Sequence, residues 1–249
     1  MSDQPVILKA SHIRKQFLRQ GKDTNVFHAV QDTDLTLYAG ELTVLKGRSG
    51  SGKTTLLNML AGLLQPTDGS VSVFPPGQKP DAAHASAASG NGTTDAIDLY
   101  ALDDEARARV RNRCFGVIPQ GNSAIGSLTV SENILLPYTL YGDPLPDETQ
   151  TDDSLTRLGI AHLKHEMPVV LSGGELKRMA VARALLRHPL VLFADEPTAD
   201  LDDESTRTVF TLFREAADAG CAVFIVTHED ISGVRTDRLY HMDAGHLML

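Results

Sequence analysis

Cysteine is scarce in this 249-residue sequence: Cys114 and Cys221 stand far apart and form no C-x-x-C pair. Such a pair supports neither a disulfide framework nor a cysteine-rich zinc site, and it fits a reducing compartment. Long apolar runs are also missing. Stretches such as Ala222–Val226 fall far short of the ~20 residues that span a bilayer, so any membrane role is expected to come through a partner. There is no basic excess. Lys and Arg total 23 against 32 acids, a net charge of -9, which argues against sequence-independent nucleic-acid binding. The opening MSDQPVILKASHIRK carries Asp3 and only a short apolar patch, and it is not expected to act as a signal peptide. What is present is ordinary globular composition, 42% hydrophobic and 22% charged. The length suits one large domain or two small ones.

Hydrophobic period places the elements. Strands are predicted from Val6, over 30–37, over 41–46 and over 71–74, with a turn at Tyr38-Ala39-Gly40. After Gly52 the period becomes helical, through Leu56, Leu57, Leu60, Leu63 and Leu64, with Pro66 just beyond. Residues 75–96 hold fourteen Ala, Ser, Gly or Pro in twenty-two and no Val, Ile, Leu or Phe. They are expected to form a flexible, dispensable surface insertion. Helices are predicted over 103–113, 130–141, 153–158, 175–187 and 203–219, and strands over 115–118, 190–194 and 221–227. Residues 238–242 and 246–249 suggest a closing hairpin. Strands alternating with helices, two of them apolar on both faces, indicate an α/β protein with a parallel sheet covered by helices.

Gly47-Arg48-Ser49-Gly50-Ser51-Gly52-Lys53-Thr54, followed by Thr55, fits G-x-x-x-x-G-K-[ST] between a predicted strand and helix. Glycines let successive N–H groups turn into one hollow, and the following helix aims its N-terminus at bound phosphates. Lys53 is expected on the β- and γ-phosphates and the Thr54 hydroxyl on Mg²⁺.

The apolar run Leu190–Ala194 ends in Asp195-Glu196. Carboxyl ends of parallel strands line the ligand crevice in open α/β sheets. Asp195 is expected to hold Mg²⁺, and Glu196 to polarise the attacking water as general base.

Leu171-Ser172-Gly173-Gly174-Glu175 before Lys177-Arg178 is more restrictive. With the phosphate loop and the acidic pair, it resembles the nucleotide-binding subunit of ATP-binding cassette (ABC) transporters. The resemblance implies a P-loop NTPase (RecA-like) parallel sheet core, an ABC-type antiparallel β part, and a helical subdomain at about 112–175 within one domain over 1–249. It implies ATP and Mg²⁺, and a second copy placed head to tail. Each ATP would lie between one subunit's phosphate loop and its mate's Ser172, Gly173, Gly174 and Glu175. Gln120 matches the glutamine that contacts Mg²⁺ and water, Asp202 the interface aspartate, and His228 the switch histidine at the γ-phosphate. Phe17 matches the aromatic that stacks on adenine, with Phe27 competing. Ala199, Asp200, Pro119 and Glu175 depart from common residues, yet no catalytic group is lost, so an active hydrolase is expected.

Asp98–Leu102, Arg111-Asn112-Arg113, Leu128–Ile134, Leu136-Pro137, and His165 with Pro168 resemble the LolD-, MacB- and FtsE-like branch. That branch implies a separate membrane permease, contacted near residues 121–140, and a cytoplasmic subunit on the inner face of the membrane. Two alternatives stay open. One is an FtsE-like ATPase regulating a cell-wall process; the other is a soluble ABC ATPase without a permease.

Overall fold

The computed structural model describes residues 4–19, 25–76, 96–229 and 233–249. The expected insertion at 75–96 falls, over 77–95, outside them. Two long strands, β1 (Val6–Arg19) and β2 (Asn25–Tyr38), pair antiparallel. They carry the alternating apolar residues Leu8, Ala10, Leu35 and Leu37 inward. β4 (Asp68–Val73) and β5 (Ile97–Asp98) complete this sheet in the order β2-β1-β4-β5.

The second sheet holds β3 (Leu42–Gly47), β6 (Phe115–Ile118), β7 (Val191–Asp195), β8 (Ala222–Thr227), β9 (Arg238–Asp243) and β10 (His246–Met248). Its order is β10-β9-β3-β8-β7-β6, parallel except for the final hairpin. Side chains alternate between two cores. Leu192, Ala194, Val223 and Ile225 face one; Val191, Phe193, Phe224 and Val226 face the other. Both faces are covered, which is why β7 and β8 read as unbroken apolar runs. Beneath them, Phe193 meets Phe115 at 5.3 Å and Phe224 at 6.3 Å, both edge-on. Such contacts add roughly 0.5–1.5 kcal/mol each beyond the area they bury.

α1 (Lys53–Leu60) lies with the antiparallel sheet on one side. On the other are α3 (Val130–Thr139), α5 (Gly173–Leu185) and α6 (Asp203–Asp218), with α4 (Glu148–Arg157) against α5. α2 (Asp104–Cys114) leads directly into β6. Within 112–175, β6 belongs to the large sheet; α3, α4 and two 3₁₀ turns (Ala161–Leu163, Pro168–Val170) form the helical part.

β2 begins at Asn25 rather than near 30, and two helix boundaries also differ from expectation, each with a local cause. α1 stops at Leu60, so Leu63 and Leu64 are not helical. Gly62 turns left-handed (φ 68°), and the amides of Leu63 and Leu64 both donate to the Asn58 carbonyl. The Tyr100 hydroxyl lies 2.6 Å from the Met59 carbonyl and 2.7 Å from that of Leu64, which closes this end. α4 begins at Glu148 rather than near 153 because Asp147 and Gln150 cap each other reciprocally.

Candidate functional site

The strand order β3-β8-β7 sets three carboxyl-terminal strand ends side by side. The phosphate loop leaves β3, His228 follows β8, and Glu196 follows β7. A Cβ on Gly52, whose φ is 107°, would lie 2.1 Å from the Ala29 carbonyl oxygen, and one on Gly47 would lie 2.3 Å from that of Met242. These two positions therefore demand glycine. Arg48, Ser49 and Gly50 are exposed at the rim, while Ser51 is buried with its Oγ unpartnered. The buried Lys53 ammonium donates to the carbonyls of Gly47 (2.8 Å) and Arg48 (2.9 Å). α1 starts with no side-chain cap, with Thr54 and Thr55 in its first turn. Its first N–H groups are left for a ligand.

Asp195 is 2% exposed, and its Oδ1 has no partner. Burial pushes this carboxyl above the usual aspartate range; a hydrogen bond from Thr54 and the charges of Lys53 and Lys177 pull it back. Glu196 is also buried and holds a left-handed backbone, φ 47°. Its Oε2 accepts from Thr227 Oγ1 at 3.1 Å, and its Oε1 lies 2.7 Å from His228 Nδ1. That bond, more than the accompanying charge, raises the imidazole above its ordinary pKa. Lys53, Thr54, Asp195, Glu196 and His228 thus form one cluster.

A second cluster sits at the start of α5. Ser172 caps the helix: its Oγ lies 2.7 Å from Glu175 Oε2, and the Glu175 carboxylate also accepts from the Ser172 amide at 2.7 Å. Both bonds hold Glu175 below the usual carboxylate range. Ser172 and Gly173 are exposed, and Gly174 packs on Asp200, whose carbonyl oxygen would lie 3.1 Å from an added Cβ. Arg178 donates to Ser205 Oγ at 2.9 Å, and Asp202 caps α6 by accepting from the Ser205 amide at 2.7 Å. The Ser172 turn and Asp202 are therefore joined through Arg178 and Ser205.

Gln120 is exposed just past β6. Phe17 and Phe27 stand directly opposite in the β1–β2 register, 40% and 37% exposed, with Lys15 5.3 Å from the Phe17 ring centre. As a directly opposed cross-strand pair they lie on one face of the sheet.

Three residues to which the sequence assigns no individual role hold the site together. Thr227 anchors Glu196. Fully buried Asn133 accepts from the Ile125 amide and donates to the carbonyls of Ile125, Leu128 and Thr129, which fixes the loop after Gln120. Lys177 is buried and donates to the Pro119 carbonyl at 3.3 Å. Its position on the stripe of Ala180, Val181 and Ala184 was the available signal.

The family profile described as ABC transporter matches residues 30–199. The chain is 37% identical over its whole length to the lipoprotein-releasing system ATP-binding protein LolD of Hydrogenovibrio crunogenus, covering 98% of that relative. With the LolD of Anaeromyxobacter dehalogenans it shares 36% over 97% of this chain and 92% of the relative. Among solved structures, the dimeric bacterial ABC transporter cassette MJ0796 superposes with a TM-score of 0.80 at 27% identity, covering 96% of this chain and 95% of that one. Its dimeric post-hydrolysis state, bound to ADP and Pi, gives 0.80 at 26% identity over 97% and 98%.

Proposed function

The chain belongs to the ABC transporter family as an ATP-binding, ATP-hydrolysing subunit, and from that footing we propose that its two clusters meet across a homodimer. The observation that carries the reading is the juxtaposition of Lys53, Glu196 and His228 at neighbouring strand ends, while the capped Ser172 turn is exposed and hydrogen-bonds to none of them. Each half lacks what the other offers. Closure is a ligand-driven population shift, because ATP gains its full set of donors only in the composite site.

Lys53 exchanges its two loop carbonyls for the β- and γ-phosphates, a stronger charge-assisted contact. The uncapped amides of α1 take further phosphate oxygens. The mate's Ser172 hydroxyl, with Gly173 and Gly174, faces the γ-phosphate. The oxygen donors Thr54, Asp195 and Gln120 suit Mg²⁺, and the unpartnered Asp195 Oδ1 fits that role. Mg²⁺, when bound, would neutralise phosphate charge at that point. Glu196 accepts the proton of the water that attacks the γ-phosphorus, held in place by Thr227. ADP leaves as the phosphorus–oxygen bond breaks, and His228, exposed beside Glu196, reaches the γ-phosphate. Phe17 is assigned to the adenine.

Among the described residues no helix is long and apolar enough to cross a membrane. From its likeness to the LolD subunits, the chain is assigned to the cytoplasmic face of a separate permease of the lipoprotein-releasing kind, docked near residues 121–140. Exposed Ile125 and Leu140 give that region apolar surface. The test is Glu196→Gln. It should bind ATP, accumulate as a closed dimer and lose turnover by ~10²- to 10⁴-fold. A variant that stays monomeric with Mg·ATP and turns over normally removes Glu196 as the base. Copurification with ribosomes instead of a permease removes the transport reading.

A further inference from the structure

α5 grips the loop after β6 at two places. Lys177 donates to the Pro119 carbonyl, and Arg183 donates to the Ser123 carbonyl at 2.9 Å and to the Ser123 hydroxyl. The two cations are separated by about 9 Å of helix rise. Gln120 lies between the two gripped points. Burial disfavours the Lys177 ammonium, and the charges of Asp195, Asp200 and Glu196 favour it.

A lysine is a poor filler for this place. Its neighbours on the stripe, Ala180, Val181 and Ala184, are buried and apolar. Burying an ammonium costs free energy that an apolar side chain of similar volume avoids. Stability alone does not account for it.

We propose that Lys177 is a positioning residue for hydrolysis: buried on α5 and bonded to the Pro119 carbonyl, it fixes the loop carrying Gln120 relative to the reacting centre. The inference rests on the hydrolytic reading above.

The test uses Lys177→Met, which keeps the length and loses the donor and charge, beside Lys177→Arg, which keeps both. The sequence has no tryptophan, so Gly121→Trp supplies a single fluorescent probe in the loop. A Cβ there meets nothing within 4 Å, and this background is first shown to hydrolyse ATP. Lys177→Met should lower kcat by roughly 10- to 100-fold, as a small misplacement does. Its KM for ATP should stay within about twofold, since ground-state binding is untouched. The anisotropy of the introduced indole should be lower. Lys177→Arg should restore kcat to within about fivefold and recover the anisotropy. Turnover in the Met variant within about twofold of the parent, or an Arg variant as impaired as Met, would overturn the proposal. Glu196→Gln is assayed alongside. If it still turns over, the hydrolytic reading itself fails; if it is dead while Lys177→Met is normal, only the positioning role fails.

Discussion

Two helix N-termini in this molecule are built in opposite ways. α5 begins with Ser172 and Glu175, which satisfy each other's backbone amides and put a carboxylate in the first turn. That suits the positive end of a helix dipole. α1 begins with Gly52 at φ 107°, no side-chain cap, no acid in its first turn, and a buried Lys53 instead. As a free-standing helix start it is the poorer design. Its amides and its ammonium wait for an anion from outside the chain. The capped end is stable by itself and presents a finished surface to a partner. Under the proposed function, the α1 terminus binds phosphate and the α5 terminus closes over the phosphate held by a partner.

The largest expected consequence is in affinity. Lys53→Ala should weaken ATP binding to the isolated subunit by roughly 10- to 100-fold, the worth of a charged hydrogen bond, whereas Ser172→Ala should leave it within about twofold. Equilibrium titration with ATP decides, and equal losses in both variants would erase the distinction. Next comes stability. Ser172→Ala removes a cap and should cost ~1 kcal/mol, lowering the melting midpoint by about 2–4 °C at this chain size.

The third effect is its pH dependence. Glu175 is held below the ordinary carboxylate value by the Ser172 amide and hydroxyl. The contribution of a group so depressed is present above the unfolded value, about 4.3, and is lost as pH falls through the folded one. The margin of the parent over Ser172→Ala should therefore shrink on acidification below about 4.3, as measured by urea unfolding across pH. The smallest effect is local. The Glu196 hydrogen bond raises His228. The stabilisation this brings is present below the ordinary histidine value of about 6.5 and lost as pH rises through the raised one. In Glu196→Gln the imidazole should titrate lower than in the parent, read from its ring proton resonances. An unmoved titration would show that the Glu196–His228 contact is absent in solution.

The legible parts of the molecule were those written in local chemistry. The phosphate loop stood out because the backbone path at Gly47 and Gly52 admits no Cβ. β7 and β8 stood out because burial on both faces removes polar residues from the run. The end of α1 was misjudged because Leu63 and Leu64 keep the helical spacing while Gly62 breaks the backbone. The α4 start was hidden because its polar first turns resemble a loop, and only the Asp147–Gln150 cap marks it. Lys177 carries no assigned role in the sequence, where it only follows the LSGGE turn. Its burial depends on β6 packing against α5.

Residue order alone determined the phosphate loop, the acidic strand end, the LSGGE turn and the parallel α/β class, because each follows from short-range backbone and burial rules. Tertiary structure decided which groups meet: Glu196 with Thr227 and His228, Phe17 with Phe27, Lys177 with Pro119. Those contacts join segments brought together by strand order and helix packing, and side-chain chemistry at short range carries no record of that order.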